Sequence, residues 1–162
     1  MRIGLISDTH NHLQNVERAV ARFRAEGIRT LLHAGDITGP HVLQALAGFD
    51  MWVSQGNMDR DTGLATLAAQ LFGPGRMAKV HYLTLDGQRI ALLHGDDRAL
   101  LELLSRSGGY AYVIHGHTHT PCDEYIGRTR VINPGALGGS GWRPRSCAIL
   151  DLKTGGLEYL KI

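Results

Sequence analysis

The sequence is poor in cysteine, in aromatic residues and in any excess of charge, and each shortage removes a class of protein. Only Cys122 and Cys147 are present, too few for a disulfide framework and wrongly spaced for a zinc motif. Two reduced, partly buried thiols are the expectation. Apolar runs are short: none approaches the roughly 20 residues that span a bilayer, so no membrane partner is expected. The first run stops at Asp8, too soon for a signal-peptide core, and the expected location is the cytoplasm. The formal net charge is only +2, from 17 Lys+Arg against 15 Asp+Glu, which provides no basic stripe for nucleic acid. No repeat or low-complexity tract interrupts the chain. With 162 residues, 43% hydrophobic and 20% charged, one soluble domain over residues 1–162 is expected. What the chain has in plenty is glycine (21) and histidine (nine).

Arg2-Ile3-Gly4-Leu5-Ile6 is an apolar run that ends at Ser7-Asp8-Thr9-His10, the pattern of a buried strand feeding a polar loop. Leu13, Val16, Val20 and Phe23 follow at helical spacing, and Gly27 closes that helix. Strands are expected over 28–33 and 51–54, with a short helix over 40–47 between them. This β-α-β-α-β order implies parallel strands with right-handed crossovers. Further on, 79–85 and 88–93 flank Asp86-Gly87, a strong hairpin signal. A helix over 97–105 and a strand over 111–114 come next. Two more hairpins are expected, 121–126 with 128–132 about Gly127, and 146–152 with 157–162 about Thr154-Gly155-Gly156. Hairpins joined to β-α-β units argue for mixed sheets covered by helices.

Five expected strands run straight into loops of carboxylate, imidazole and glycine. These are Asp8-Thr9-His10, Gly35-Asp36, Gly56-Asn57, His94-Gly95-Asp96 and Gly116-His117-Thr118-His119. Ligands of open α/β sheets bind outside the carboxyl ends of strands, so neighbouring strands would bring the loops to one edge. The donors delivered there suit divalent cations of hard to borderline character. In Asp8-x-His10 and His117-x-His119, alternation along an extended strand end would aim both side chains to one side. A lone histidine is more often a packed or surface residue than a ligand. Accident is a poor account of seven ligand-type residues at strand ends.

In this order and spacing the loops, with Asn57-Met58-Asp59 and Asn133-Pro134-Gly135, resemble the calcineurin-like metallophosphoesterases. The small single-domain bacterial and archaeal members are the nearest match, and the motifs span residues 8–135. The resemblance implies an α/β fold: a four-layer α/β/β/α sandwich of two mixed sheets flanked by helices. It implies two divalent metal ions. Asp8, His10 and His119 would bind one, Asn57, His94 and His117 the other, and Asp36 would bridge them. Manganese leads the candidates, while nickel, iron, cobalt and zinc suit the same mixed donors. The implied activity is a dinuclear phosphodiesterase acting on small phosphate esters, with a metal-bridging hydroxide attacking phosphorus. Asp36, Asn57 and His94 are the residues expected to be catalytic.

One position departs from the family pattern. Many relatives read Gly-Asn-His where this chain has Met58, whose thioether cannot donate a proton to a leaving group. Asp59 and His12 are nearby replacements, but an ionised Asp cannot donate, and support of the site suits Asp59 better. A helix start or rim suits His12. His33 and His115 are expected as buried supports behind the ligands, and Asp96 either orients a ligand histidine or shapes a turn. His41 and His81 are expected at the surface or in a hairpin, and Asn133 could reach the site through its loop. Arg128, Arg130, Arg143 and Arg145 could rim the site, though solvated surface charge is the better account. The competing functions are a non-catalytic scaffold, like the retromer subunit of this fold, and a nuclease, whose cap domain 162 residues cannot hold. Exposed hairpin edges allow a homodimer or tetramer.

Overall fold

The computed structural model describes residues 1–61, 63–139 and 144–162. In chain order its elements begin with β1 (Arg2–Ile6), α1 (Leu13–Ala25), β2 (Thr30–His33), α2 (Pro40–Ala45) and β3 (Asp50–Ser54). Then come α3 (Gly63–Phe72), β4 (Met77–Ala78), β5 (Val80–Leu85), β6 (Gln88–Leu93) and α4 (Arg98–Arg106). The chain finishes through β7 (Tyr112–Ile114), β8 (Cys122–Ile126), β9 (Thr129–Asn133), β10 (Ser146–Asp151) and β11 (Leu157–Lys161). The first sheet has the order β11-β10-β1-β2-β3-β4, in which β1 to β4 run parallel and β10 pairs antiparallel with β1. The second has the order β5-β6-β7-β9-β8, parallel across β6, β7 and β9 and antiparallel at both margins. Both sheets are mixed, as the combination of hairpins and crossovers implies.

Alternation along the strands sorts apolar side chains into three cores. Ile3 and Leu5 of β1 join Leu32, Ile90, Leu92, Ile114 and Ile132 between the two sheets. The other face of the first sheet, with Ile6, Leu31, Met51 and Val53, is covered by Phe23 of α1, Leu43 of α2 and Leu64 of α3. The outer face of the second sheet, with Ala91, Leu93, Val113 and Val131, packs on Leu104 of α4. The layers therefore run helix, sheet, sheet, helix, the α/β/β/α sandwich that the family resemblance implies. In α1 the buried positions Val16, Ala19, Val20 and Phe23 follow helical spacing. Gly4 lies under Phe23: a Cβ there would sit 2.9 Å from the ring, so its absence lets α1 approach the sheet.

Two elements have no counterpart in the sequence reading, α3 and β4. The segment LATLAAQLF in α3 carries no charged residue, so it lacks the polar face that makes a helix legible. β4 is two residues long. Among the described residues no helix is long and apolar enough to cross a membrane.

Candidate metal centre

Loops leaving β1, β2, β3, β6 and β7 meet beyond the carboxyl ends of these strands. The backbone there is not extended. Asp8, His10, Asp36, His117 and His119 all have φ between 42° and 67°. This corrects the expectation that strand alternation aims Asp8 with His10 and His117 with His119; single left-handed residues do so instead. Each such residue costs roughly 1–2 kcal/mol for an L-amino acid, so hydrogen bonds must hold it. The Asp8 amide donates to Gly35 O (2.9 Å) and the His10 amide to Asp36 O (2.9 Å), while the amides of Gly116 and Thr118 reach His94 O (2.9 Å) and Gly116 O (2.8 Å).

The side chains converge in two groups that share the Asp8 carboxylate. Donor atoms of Asp8, His10 and His119 lie within 4.8 Å of one another, and so do those of Asp8, Asp36 and His94. His119 Nε2 stands 3.2 Å from Asp8 Oδ1 and 3.2 Å from His10 Nε2. Asp36 Oδ2 lies between the groups, 3.7 Å from His10 Nε2 and 3.5 Å from His94 Nε2. Asn57 Oδ1 and His117 Nδ1 face His94 Nε2 at 3.1 and 3.3 Å. All seven residues expected as ligands are thus brought together.

The donor set fits cations. His94 Nδ1 faces the Ala34 carbonyl at 2.7 Å, and a carbonyl only accepts, so Nδ1 carries the hydrogen. In the neutral ring Nε2 is then a lone pair aimed at the oxygens of Asn57 and Asp36, a repulsive arrangement unless positive charge lies among them. Burial disfavours the protonated form of His94, yet hydrogen bonds to Asp36 and Ala34 and the charges of Asp36 and Asp8 outweigh it and raise its pKa. A metal ion bound at Nε2 would take the place of that proton. Asp8 tells the same story. Its Oδ2 accepts from Ser7 Oγ (2.6 Å) and the His117 amide (3.0 Å), whereas its buried Oδ1 accepts no hydrogen bond among the described residues. Asp36 Oδ1 accepts from the Met58 amide at 2.9 Å. Burial opposes ionisation of Asp36, but the hydrogen bonds from His94 and Met58 and the His94 and His10 rings hold its carboxyl below the usual range.

Supporting residues stand partly where expected. Asp59 is buried and accepts three amides, from Asp36 (2.9 Å), Thr38 (2.8 Å) and Gly56 (2.9 Å), which fixes the Asp36 and Asn57 loops together. His33 accepts from the Gly35 amide (3.1 Å) and meets the Thr9 hydroxyl (3.2 Å); burial pushes its pKa down to about 4. Asn133 donates to Gly116 O (2.9 Å) and Thr118 Oγ1 (3.0 Å), holding the His117–His119 turn rather than entering the cluster. His12 is an exposed residue at the start of α1.

Other placements differ. Asp96 is exposed and orients no histidine, because the Ala34 carbonyl already holds His94. His115 is buried but touches none of the ligands: it faces Gly116 O and lines a cavity of about 590 Å³ between α4 and β8–β9. That larger cavity holds no residue of the cluster. His81 lies in the β5–β6 hairpin, one of its two expected places, but is buried there with its Nε2 on Val53 O at 2.8 Å, and His41 is exposed at the surface. Arg128 bonds Gly108 O and Arg130 pairs with Asp123, both away from the cluster. Arg145 donates to the carbonyls of Gly138 and Gly139 at its edge. Arg143 lies outside the described residues. The segment Gly138-Gly139 is a part of the site that sequence reading misses. A Cβ on Gly138 would meet Thr9 O at 2.0 Å and one on Gly139 would meet His119 Cε1 at 2.7 Å. The available signal is the glycine pair itself, four residues after Pro134.

Residues 1–155 match the model of the calcineurin-like phosphoesterase superfamily domain. A phosphodiesterase of Methanocaldococcus jannaschii is 30% identical over 165 residues, covering 100% of this chain and 98% of that one. The solved structure of an archaeal phosphodiesterase superposes with a TM-score of 0.93 at 28% identity, covering 100% of both chains. Vps29 of Entamoeba histolytica, solved in complex with zinc, has a TM-score of 0.66 at 19% identity over 100% of this chain and 98% of that one, a likeness of fold alone.

Proposed function

Since the chain belongs to the calcineurin-like phosphoesterase superfamily and is a phosphoric ester hydrolase, we propose that it is a dinuclear phosphodiesterase of small phosphate esters. The observation that carries this reading is the convergence of His94 Nε2 with Asn57 Oδ1 and Asp36 Oδ2, beside a buried Asp8 Oδ1 that accepts no hydrogen bond among the described residues. Asp8, His10 and His119 would hold one ion and Asn57, His94 and His117 the other. Asp36 would bridge them, since its Oδ2 faces both groups. The geometry also lets Asp8 share in both. Manganese is the proposed metal, with nickel, iron, cobalt or zinc able to use the same donors. When bound, two such ions neutralise phosphoryl oxygens and lower the pKa of a water for in-line attack.

The chain's own residues set what can be hydrolysed. Asn57 is a neutral donor and leaves the site net positive toward a phosphate. Met58 is 46% exposed at its edge and offers no proton. Asp59 cannot take over, because its carboxylate is occupied by three amides. General acid help is worth roughly 10²–10⁴-fold, so without it esters with good leaving groups are favoured. The reading takes residues 1–162 as one domain acting on free small esters.

The test is metal analysis of the purified protein, then hydrolysis of bis(p-nitrophenyl) phosphate with each divalent ion in turn. Asp36→Asn should retain the wild-type circular dichroism and lose turnover to background. Full activity in this variant overturns the assignment. A protein that binds no divalent ion and hydrolyses no ester under any condition is a scaffold instead.

A further inference from the structure

A cavity of about 490 Å³ opens beside the cluster, and its walls are of another kind. His119 lines it, and since His119 Nε2 is 3.2 Å from Asp8 Oδ1, one wall of the cavity is also a wall of the metal centre. Pro121, Pro144 and Tyr159 also line it and make its wall largely apolar. Tyr159 is fixed before any ligand arrives: its hydroxyl donates to Cys122 O at 2.7 Å and lies 3.2 Å from Asn133 O. The hydroxyls of Ser146 and Thr120, also in the lining, donate to Pro134 O at 2.8 Å and Thr118 O at 3.2 Å. The walls therefore offer surface and little hydrogen bonding. The exception is Lys161, exposed on β11, whose ammonium makes no ion pair among the described residues.

We propose that this cavity receives one ester group of the substrate, and that this group is a flat, nucleobase-type ring stacked on Tyr159, with Lys161 as the cation for its anionic partner. The inference rests on phosphoester hydrolysis at the adjacent cluster. Three features select this occupant. The volume lies in the range of small-molecule sites and suits a nucleoside-sized group, not a polymer. A ring whose orientation is preset loses little entropy on stacking, so the face is ready for a planar partner. A lone lysine beside an apolar wall matches a ligand that joins a ring to a phosphate.

The experiment compares two diesters with the same leaving group, thymidine p-nitrophenyl phosphate and methyl p-nitrophenyl phosphate, in the metal-loaded protein. The wild-type protein should prefer the thymidine ester in KM by about ten-fold. Tyr159→Leu should remove that preference and Tyr159→Phe should keep most of it. Lys161→Ala should raise KM for both esters and weaken its dependence on salt. A wild-type protein without preference, or a preference that survives Tyr159→Leu, overturns the proposal. Calorimetric titration of metal-free protein with thymidine monophosphate and methyl phosphate reads the cavity without turnover. If no ester is hydrolysed but thymidine monophosphate binds tighter, the hydrolase reading falls and the cavity stands; equal binding removes the cavity. Should Tyr159→Leu not fold, contacts between the thymine ring and Tyr159 in the wild-type protein, read by NMR, decide in its place.

Discussion

The two ends of the parallel strands are built on opposite principles. At the end away from the cluster the chain reverses in three hairpins, about Asp86-Gly87, Gly127 and Gly155. Left-handed backbone is given there to glycine, or to an aspartate just before one. Nothing lies within 4 Å of where a Cβ would stand on Gly87 or Gly127. At the cluster end Asp8, His10, Asn11, Asp36, Thr38, His117 and His119 take positive φ, although none is glycine. The glycines there are crowded. A Cβ would stand 2.6 Å from His94 Nδ1 on Gly35, 2.1 Å from Asp36 Oδ1 on Gly56 and 1.8 Å from Ser7 Oγ on Gly116. Side chains at the cluster end are strained so that they can aim inward, and glycines make room for them, Gly35 (φ 94°) and Gly95 (φ 99°) taking left-handed backbone as well. At the other end glycines bear the strain themselves. Strain of the first kind persists only where surrounding bonds over-determine it, and it gathers where a site needs it.

The sharpest way to break this comparison is Gly116→Ala. The added methyl would collide with Ser7 Oγ and stand 2.7 Å from Asp8 Oδ2 and 3.0 Å from Ala34 O. Relief requires Ser7 to release Asp8, which leaves a buried carboxylate short of a donor. Overpacking and the lost hydrogen bond together should cost on the order of 4 kcal/mol. Urea unfolding of the metal-free protein measures the loss, and metal analysis should show reduced occupancy. A loss within about 0.5 kcal/mol would mean that this end is not space-limited.

Acid offers the next largest effect, through a buried histidine of the cluster end. His33 joins the Asp8 and Asp36 loops only while neutral, because its Nδ1 must accept from the Gly35 amide. Burial lowers its pKa from 6.5 to about 4. A histidine depressed in the folded state contributes stability that is complete above the unfolded value. That contribution is lost as pH falls from 6.5 through about 4. It should amount to about 3 kcal/mol. His81 and His115 are shifted the same way by burial and add to the slope. Asp36 is also lowered, from 3.8, so its contribution is lost at lower pH and the windows separate. Unfolding free energies across this range should fall in the wild-type protein and fall less in His33→Gln. Parallel profiles would remove His33 from this role.

The same contrast explains what the sequence discloses. The three hairpins are legible because turn chemistry is local: Asp86-Gly87, Gly155-Gly156 and the single Gly127 name their own backbone geometry. The ligand residues are legible because each follows a strand and their order resembles a family. Their aim is not. The left-handed turns at Asp8 and His10 are imposed by carbonyls of Gly35 and Asp36 in the loop after β2, which leave no mark beside Asp8. The task expected of Asp96 falls to the Ala34 carbonyl, and a backbone oxygen has no letter in the sequence. His115 misleads for a related reason. It neighbours the ligand loop in sequence, but it faces the cavity beside α4 instead of the cluster.

Gly127→Ala should have the smallest effect and completes the comparison. Gly127 has φ 60° with open space around it, so alanine meets no neighbour and bears only the left-handed penalty. That penalty is about 1–2 kcal/mol. Gly127→Asn should cost less still, since asparagine tolerates this region by bonding its own backbone. Neither variant should alter metal occupancy or turnover, because the β8–β9 turn is at the far end of the strand that delivers Asn133. The decisive quantity is the difference between Gly127→Asn and Gly127→Ala. At a conformational glycine the larger side chain is the milder change; at a space-limited glycine such as Gly116 it must be the worse one. If asparagine is worse than alanine at both positions, crowding governs both ends and the distinction between them fails.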